Sequence, residues 1–170
     1  MNNNRTSAVN TRGQLLDDLV MEYESKVDLS IVIPCYNEQE SIPIFLDEVV
    51  PILKSLELSY ELVFINDGSR DATLETLIEH KLSFPEMRIL NFSRNFGKEA
   101  ALTAGIDFAT GKAVIPIDVD LQDPPQLIKE MVKAWQEMDV DVVLAKRADR
   151  SKDSFMTVSY THLTLPTTRL

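Results

Sequence analysis

The stretch Ala113-Val114-Ile115-Pro116-Ile117-Asp118-Val119-Asp120-Leu121-Gln122-Asp123 has an apolar first half and an acidic second half. The apolar run is short and lacks polar alternation, which reads as a strand buried on both faces. Three carboxylates and a carboxamide then gather where that strand runs out into a loop. Crowded carboxylates repel one another, so a fold that keeps them usually has a cation to bind. A hard divalent ion held by one or two carboxylates, its other positions left to water and phosphate oxygens, is a common way of gripping a diphosphate. In extended chain, Asp118, Asp120 and Gln122 point the same way and can share one target. The competing reading is a helix start, because Asp123 before Pro124 makes a good cap.

The same strand-then-polar pattern recurs along the chain. Strands are expected over residues 29–35, 60–65, 87–92, 112–117 and 140–145. Between them lie amphipathic stretches. Residues 41–56 carry Ile42, Phe45, Leu46, Val49, Ile52 and Leu53 at helical spacing, with Ser41 as cap, Pro43 in the first turn and a kink expected at Pro51. A second helix runs from the cap Asp71 to His80, a third of small residues over 97–109, and a fourth over 124–138. Alternating β and α elements with near-continuous apolar strands predict an α/β fold, a mostly parallel sheet flanked by helices. In such folds ligands bind beyond the carboxyl ends of the strands. The polar clusters at residues 34–38, 66–71, 93–98 and 118–123 all fall there, and their convergence on one rim says more than any one of them.

Bulk properties narrow the function. The chain has 170 residues, enough for one domain with a real core. A formal charge of −10, from 27 acids against 17 bases, argues against non-specific nucleic-acid binding. Cys35 is the single cysteine, so no intrachain disulfide forms. No apolar run approaches the ~20 residues that span a bilayer, and residues 1–12 are too polar for a secretory signal. Taken alone, these features describe a soluble, cytosolic chain. Residues 1–28 read as a leader with a short helix over 14–26, residues 29–155 as the nucleotide-binding domain, and residues 156–170 as a tail foreign to it, with no acid after Asp153.

Each remaining cluster has two readings. In Asn66-Asp67-Gly68-Ser69-Arg70-Asp71, Asp67 is placed to accept a hydrogen bond from a base, or else belongs to an ordinary Asp-Gly turn. Asp71 reads as a cap. In Pro34-Cys35-Tyr36-Asn37-Glu38, Tyr36 can pack beside a base and Glu38 can bond a ribose; the plain alternative is a polar turn. Arg94 and Lys98 are placed to offset phosphate charge or to lie in solvent, and the same holds for Lys146, Arg147 and Arg150. His80 and His162 join no constellation, and Cys35 reads as a core thiol. Glycine-rich phosphate loops are absent.

The segments 31–38, 65–73, 93–101 and 118–125, in this order and spacing, resemble the family-2 inverting glycosyltransferases, and among them the polyprenyl-phosphate sugar transferases of the bactoprenol glucosyltransferase and dolichol-phosphate mannose synthase type. The resemblance covers about residues 29–155. It implies a GT-A, Rossmann-like fold, Mg²⁺ or Mn²⁺ as cofactor, and a UDP- or GDP-linked sugar as partner. It further implies that Pro34, Tyr36, Glu38, Asp67 and Lys98 line the nucleotide pocket with Asp118 near the ribose. Asp120 and Gln122 match metal-binding positions, and Asp120 and Arg147 match residues at the reaction centre. The expected reaction transfers a sugar with inversion to a polyprenyl phosphate at the cytoplasmic membrane face. The alternatives are a soluble glycan or protein acceptor, or a non-catalytic nucleotide-sugar-binding fragment. Members of the family continue past the equivalent of Phe155 into acceptor-side and membrane-interface segments, and homo-oligomers are compatible with the pattern.

Overall fold

The computed structural model describes residues 27–138, 140, 142–146 and 157–161, with side chains described up to Leu144. The helix expected over 14–26, together with Arg147, Arg150 and His162, lies outside the described residues. Among the described residues ten elements follow one another: β1 (Val27–Cys35), α1 (Ser41–Lys54), β2 (Tyr60–Asn66), α2 (Thr73–Lys81), β3 (Met87–Asn91), α3 (Lys98–Phe108), β4 (Gly111–Pro116), α4 (Leu127–Met138), β5 (Val142–Lys146) and β6 (Thr157–Thr161). The first four strands form one wholly parallel sheet in the order β3-β2-β1-β4. Strand order therefore reverses between β1 and β4, and a crevice opens beyond their carboxyl ends. β5 and β6 form a separate antiparallel pair, so part of the tail takes up strand pairing that its sequence pattern does not announce.

The sheet is buried on both sides, which is why its strands lack polar alternation. Leu29, Ile31, Ile33 and Cys35 of β1 face a large core with Leu62 and Phe64 of β2, Phe45, Leu46 and Val49 of α1, and Ile128 and Val132 of α4. Val32, Val63 and Ile65 face the opposite side, toward Ala101 of α3. That helix lies close because it carries small residues. A Cβ on Gly105 would come within 2.5 Å of Val32 Cγ1 and 2.6 Å of Ile65 Cδ1.

Helix α4 begins at Leu127 rather than at 124, and the starts of α1 and α2 differ from expectation for a common reason. Ser41 lies inside α1 rather than capping it, and its hydroxyl donates to Glu38 Oε2 at 2.6 Å. Asp71 lies just before α2, where Oδ1 accepts the Thr73 N–H at 3.1 Å and Oδ2 accepts the Gln39 N–H at 3.3 Å. In both places the polar side chain serves a neighbouring loop as well as a helix end. α1 continues three residues beyond Pro51, which lies on its exposed face.

The amino ends of the strands are clasped by two carboxylates. Glu61 is buried and accepts from Ser30 Oγ at 2.6 Å, Thr110 N at 2.6 Å and Arg88 Nη1 at 2.8 Å, joining β1, β2, β3 and the turn before β4. Asp28 accepts from Ser59 Oγ at 2.6 Å and Lys112 Nζ at 3.0 Å. Burial pushes the Glu61 carboxyl up, but the bonds from Arg88, Ser30 and Thr110 outweigh it and the net shift is downward from 4.5. The bonds from Ser59 and Lys112 lower Asp28 to about 2. Both groups bind protons less readily when folded than when unfolded. Their stabilisation is present above the unfolded-state values and fades as pH falls through the folded ones. The urea midpoint is thus expected to fall steadily as pH drops below about 4.5. A Glu61→Gln chain should start lower and lose less over the same range; an equal acid response in both proteins would exclude Glu61 as a cause.

Candidate functional site

Beyond the carboxyl ends of β1, β2, β3 and β4 lies an open cleft of about 360 Å³. The last residues of β1 and those just after it contribute Pro34, Cys35, Tyr36 and Glu38; those after β2 contribute Asp67; those after β3 contribute Asn95 and Lys98; those after β4 contribute Asp118, Asp120 and Gln122. Every site residue expected from the sequence, apart from Arg147, lines this one cleft. Arg147 lies outside the described residues. Asn95, Ala101 and Val119 also line it, beyond the residues the sequence points to. Asn95 falls within the segment 93–101 that carries the family resemblance, but a lone carboxamide there marks no particular chemistry.

The first wall is built by cross-bonding of two loops. Asn37, in the left-handed region at φ 57°, accepts the Arg70 N–H on Oδ1 at 2.8 Å and donates its own N–H to Ser69 Oγ at 2.9 Å. The Glu38 N–H donates to Thr73 Oγ1 at 2.8 Å, and the Ala72 N–H donates to Gln39 Oε1 at 2.9 Å. These bonds hold Tyr36 and Glu38 at the cleft. Tyr36 is 42 % exposed, which leaves its ring open to stack on a flat ligand. Cys35 lies at the cleft floor, and burial pushes its thiol well above the usual range, so it is no nucleophile here.

Asp67 is buried, and its carboxylate already has protein partners. Oδ1 accepts the Phe96 N–H at 2.7 Å and Oδ2 accepts the Gly97 N–H at 2.9 Å. It thereby ties the end of β2 to the loop that carries Asn95 and Lys98. Gly68, at φ 63°, completes this joint: a Cβ there would fall 2.3 Å from the Arg94 carbonyl carbon.

The acidic lip differs in shape from the extended run expected. Residues 118–121 form a turn closed by the Leu121 N–H on the Asp118 carbonyl at 3.3 Å, and Leu121 takes φ 54°. Val119 and Leu121 pack toward the core while Asp120 and Gln122 are exposed. Asp118, Asp120 and Gln122 still meet at one cleft, but a turn rather than strand alternation brings them there. Gln122 Nε2 donates to Asp120 Oδ2 at 2.8 Å. Lys98 Nζ lies 2.7 Å from Asp118 Oδ1 and 2.8 Å from Oδ2. The Asp118 carboxylate raises the Lys98 ammonium above its usual range, against partial desolvation. Among the described residues no three His, Cys, Asp or Glu side chains cluster closely enough to hold a metal by themselves. Two carboxylates and a carboxamide supply hard oxygen atoms that suit Mg²⁺ or Mn²⁺ when phosphate and water complete the shell.

A parallel sheet flanked by helices, with an acidic lip beyond its strand-order reversal, defines an α/β protein of the Rossmann-like class. The sequence model of glycosyl transferase family 2 matches residues 30–169, and the chain belongs to that family. It is 54 % identical over 127 residues to the prophage bactoprenol glucosyl transferase homolog of Escherichia coli K12, covering 74 % of this chain and 40 % of that protein. It is 48 % identical over 130 residues to the uncharacterized glycosyltransferase sll0501 of Synechocystis, covering 76 % of this chain and 41 % of that one. The chain thus spans about two fifths of the length of these relatives. Among solved structures, it resembles the mannosyltransferase PcManGT of Pyrobaculum calidifontis, solved with GDP-Man and Mn²⁺, at a TM-score of 0.56 and 20 % identity over 75 % of this chain and 41 % of that one. Glucosyl-3-phosphoglycerate synthase of Mycobacterium tuberculosis, solved with UDP, gives 0.55 and 22 % over 72 % and 44 %. The fold is therefore of the GT-A type. None of the described helices is long and apolar enough to cross a membrane.

Proposed function

We propose that this chain is the sugar-donor-binding part of a metal-dependent inverting glycosyltransferase that moves a sugar from a UDP- or GDP-linked donor to a polyprenyl phosphate at the cytoplasmic membrane face. The observation that carries the reading is the meeting, in one cleft, of the residues after β1 with the Asp118–Asp120–Gln122 lip. Relatives named as bactoprenol glucosyl transferases support the lipid acceptor. In this reading Tyr36 stacks on the base, Pro34 and Glu38 shape the pocket for base and ribose, and Asp118 bonds the ribose or a metal-bound water. Asp67 acts chiefly through the loop it holds. Asp120 and Gln122 would hold Mg²⁺ or Mn²⁺, with Asp118 beside them; when bound, the ion draws off charge from the leaving diphosphate.

The chemistry places a light demand on the protein. An oxygen of the acceptor phosphate attacks the anomeric carbon from the face opposite the diphosphate. The bond from that carbon to the diphosphate oxygen breaks, and configuration inverts. A phosphate acceptor is already ionised near neutral pH, so no strong general base is needed. The protein's work is to hold the reactants in line and to stabilise the departing charge. Arg147 is proposed to contact phosphate near the reaction centre, as an Arg fork suits phosphate oxygens.

The test is calorimetric binding of UDP and GDP to the 170-residue chain with and without Mn²⁺. One of the two is expected to bind, and to bind more tightly with the metal. Failure of both nucleotides to bind, with Mn²⁺ as well as without it, would sink the reading.

A further inference from the structure

Lys98 opens α3 at the end of the loop anchored by Asp67, and its ammonium engages both oxygens of Asp118. The two side chains line the nucleotide cleft. They also line an adjoining cavity of about 510 Å³ bounded by Leu102, Val114, Ile117 and Met131. Asp120 accepts from Gln122 on both oxygens, at 2.8 Å from Nε2 and 3.3 Å from the backbone N–H. Both carboxylates of the lip are thus already satisfied by the protein's own donors.

A divalent cation arriving alone must compete with an ammonium seated on Asp118 and then stay beside it. Like charges a few ångströms apart repel, so this costs affinity. A nucleotide diphosphate changes the balance in two ways. Its oxygens give the ammonium another anionic partner, and they add ligands that the lip lacks. The Lys98 side chain is 57 % exposed, and a flexible four-carbon stem lets it move without disturbing the fold. We infer that Lys98 is a positioning residue that occupies Asp118 as a resident cation and passes to the phosphate oxygens when a nucleotide diphosphate enters, making metal binding conditional on the nucleotide. The inference rests on the nucleotide-diphosphate reading above.

Three versions of the 170-residue chain test it: wild type, Lys98→Met and Lys98→Arg. Mn²⁺ binding is measured by the resonance of the free ion, first without nucleotide and then with UDP or GDP. Lys98→Met is expected to bind Mn²⁺ alone about tenfold more tightly than wild type, because a competing charge is gone. The same variant should bind nucleotide with Mn²⁺ more weakly, so metal and nucleotide assist one another less. Lys98→Arg keeps the charge and should return both affinities toward wild type. A merely structural lysine would not move the two affinities in opposite directions. Equal Mn²⁺ affinity of wild type and Lys98→Met without nucleotide, while Mn²⁺-dependent nucleotide binding persists, overturns the Lys98 inference alone. No nucleotide binding by the wild type at any Mn²⁺ concentration overturns this inference and the parent reading together.

Discussion

Replacement of Asp120 by alanine is expected to weaken Mn²⁺-dependent nucleotide binding by about a hundredfold, close to 3 kcal/mol. The size follows from what the residue contributes. Asp120 and Asp118 are the carboxylates of the proposed metal lip, and Asp118 is also engaged by Lys98. Without Asp120, Gln122 loses the partner at 2.8 Å that fixes its carboxamide. Two proposed ligands are disturbed by one substitution. Asp120 is exposed and outside the core, so the folded chain should melt within about 1 kcal/mol of wild type. Calorimetry with and without Mn²⁺ separates the effects: the metal-dependent share of the affinity should vanish while any metal-independent remainder stays. An Asp120→Ala chain that binds nucleotide and Mn²⁺ as tightly as wild type would remove the acidic lip from the site.

Asp67→Ala should act on the fold first and on the cleft through it. The substitution leaves the Phe96 and Gly97 N–H groups without the charged acceptor they now share. Each charge-assisted bond of this kind is worth about 1.5–3 kcal/mol, so a loss of roughly 3–5 kcal/mol is expected. For a chain of this size that corresponds to a melting temperature lower by about 10 °C. Asp67→Asn should recover only part of it, because an amide offers one acceptor oxygen where the carboxylate offers two. Thermal melts of both variants, followed by calorimetry at a temperature where each is folded, give the check. A direct role in gripping the base, without the anchoring role, would leave the melts unchanged and abolish binding.

The sheet was legible because its strands are buried on both faces. Runs such as Ile31-Val32-Ile33 and Leu62-Val63-Phe64 are apolar on both alternating faces, and both faces are covered. The small-residue helix was legible for the same kind of reason: Gly105 meets Val32 and Ile65 at distances that admit no side chain. The site was legible as a set of clusters at strand ends, since a parallel sheet brings those ends together whatever the loops do. The shapes inside the loops were not. The turn at residues 118–121 puts a leucine, not a glycine, in the left-handed region, so no residue type marked it. The cross-bonding of Asn37 with Ser69 and Arg70 joins positions more than thirty residues apart, and nothing local encodes it. The helix starts at Ser41 and Thr73 shifted because polar side chains near them were drawn into that same lattice. The anchoring work of Asp67 was hidden too, since an Asp-Gly pair looks alike whether its carboxylate faces a ligand or a backbone.

Asp28 and Glu61 fasten the starting ends of the strands, while the residues of the cleft, Ala101 of α3 apart, lie at or just beyond their finishing ends. The full length of the sheet separates the two. An engineer seeking a hardier version of this chain can therefore work at the base, for example by enlarging the Arg88–Phe108 contact at 3.8 Å, without retuning ligand recognition. The reverse holds for the exposed cleft residues Tyr36, Asp120 and Gln122, which can be varied without touching that base, whereas Asp67 must stay because it anchors the neighbouring loop.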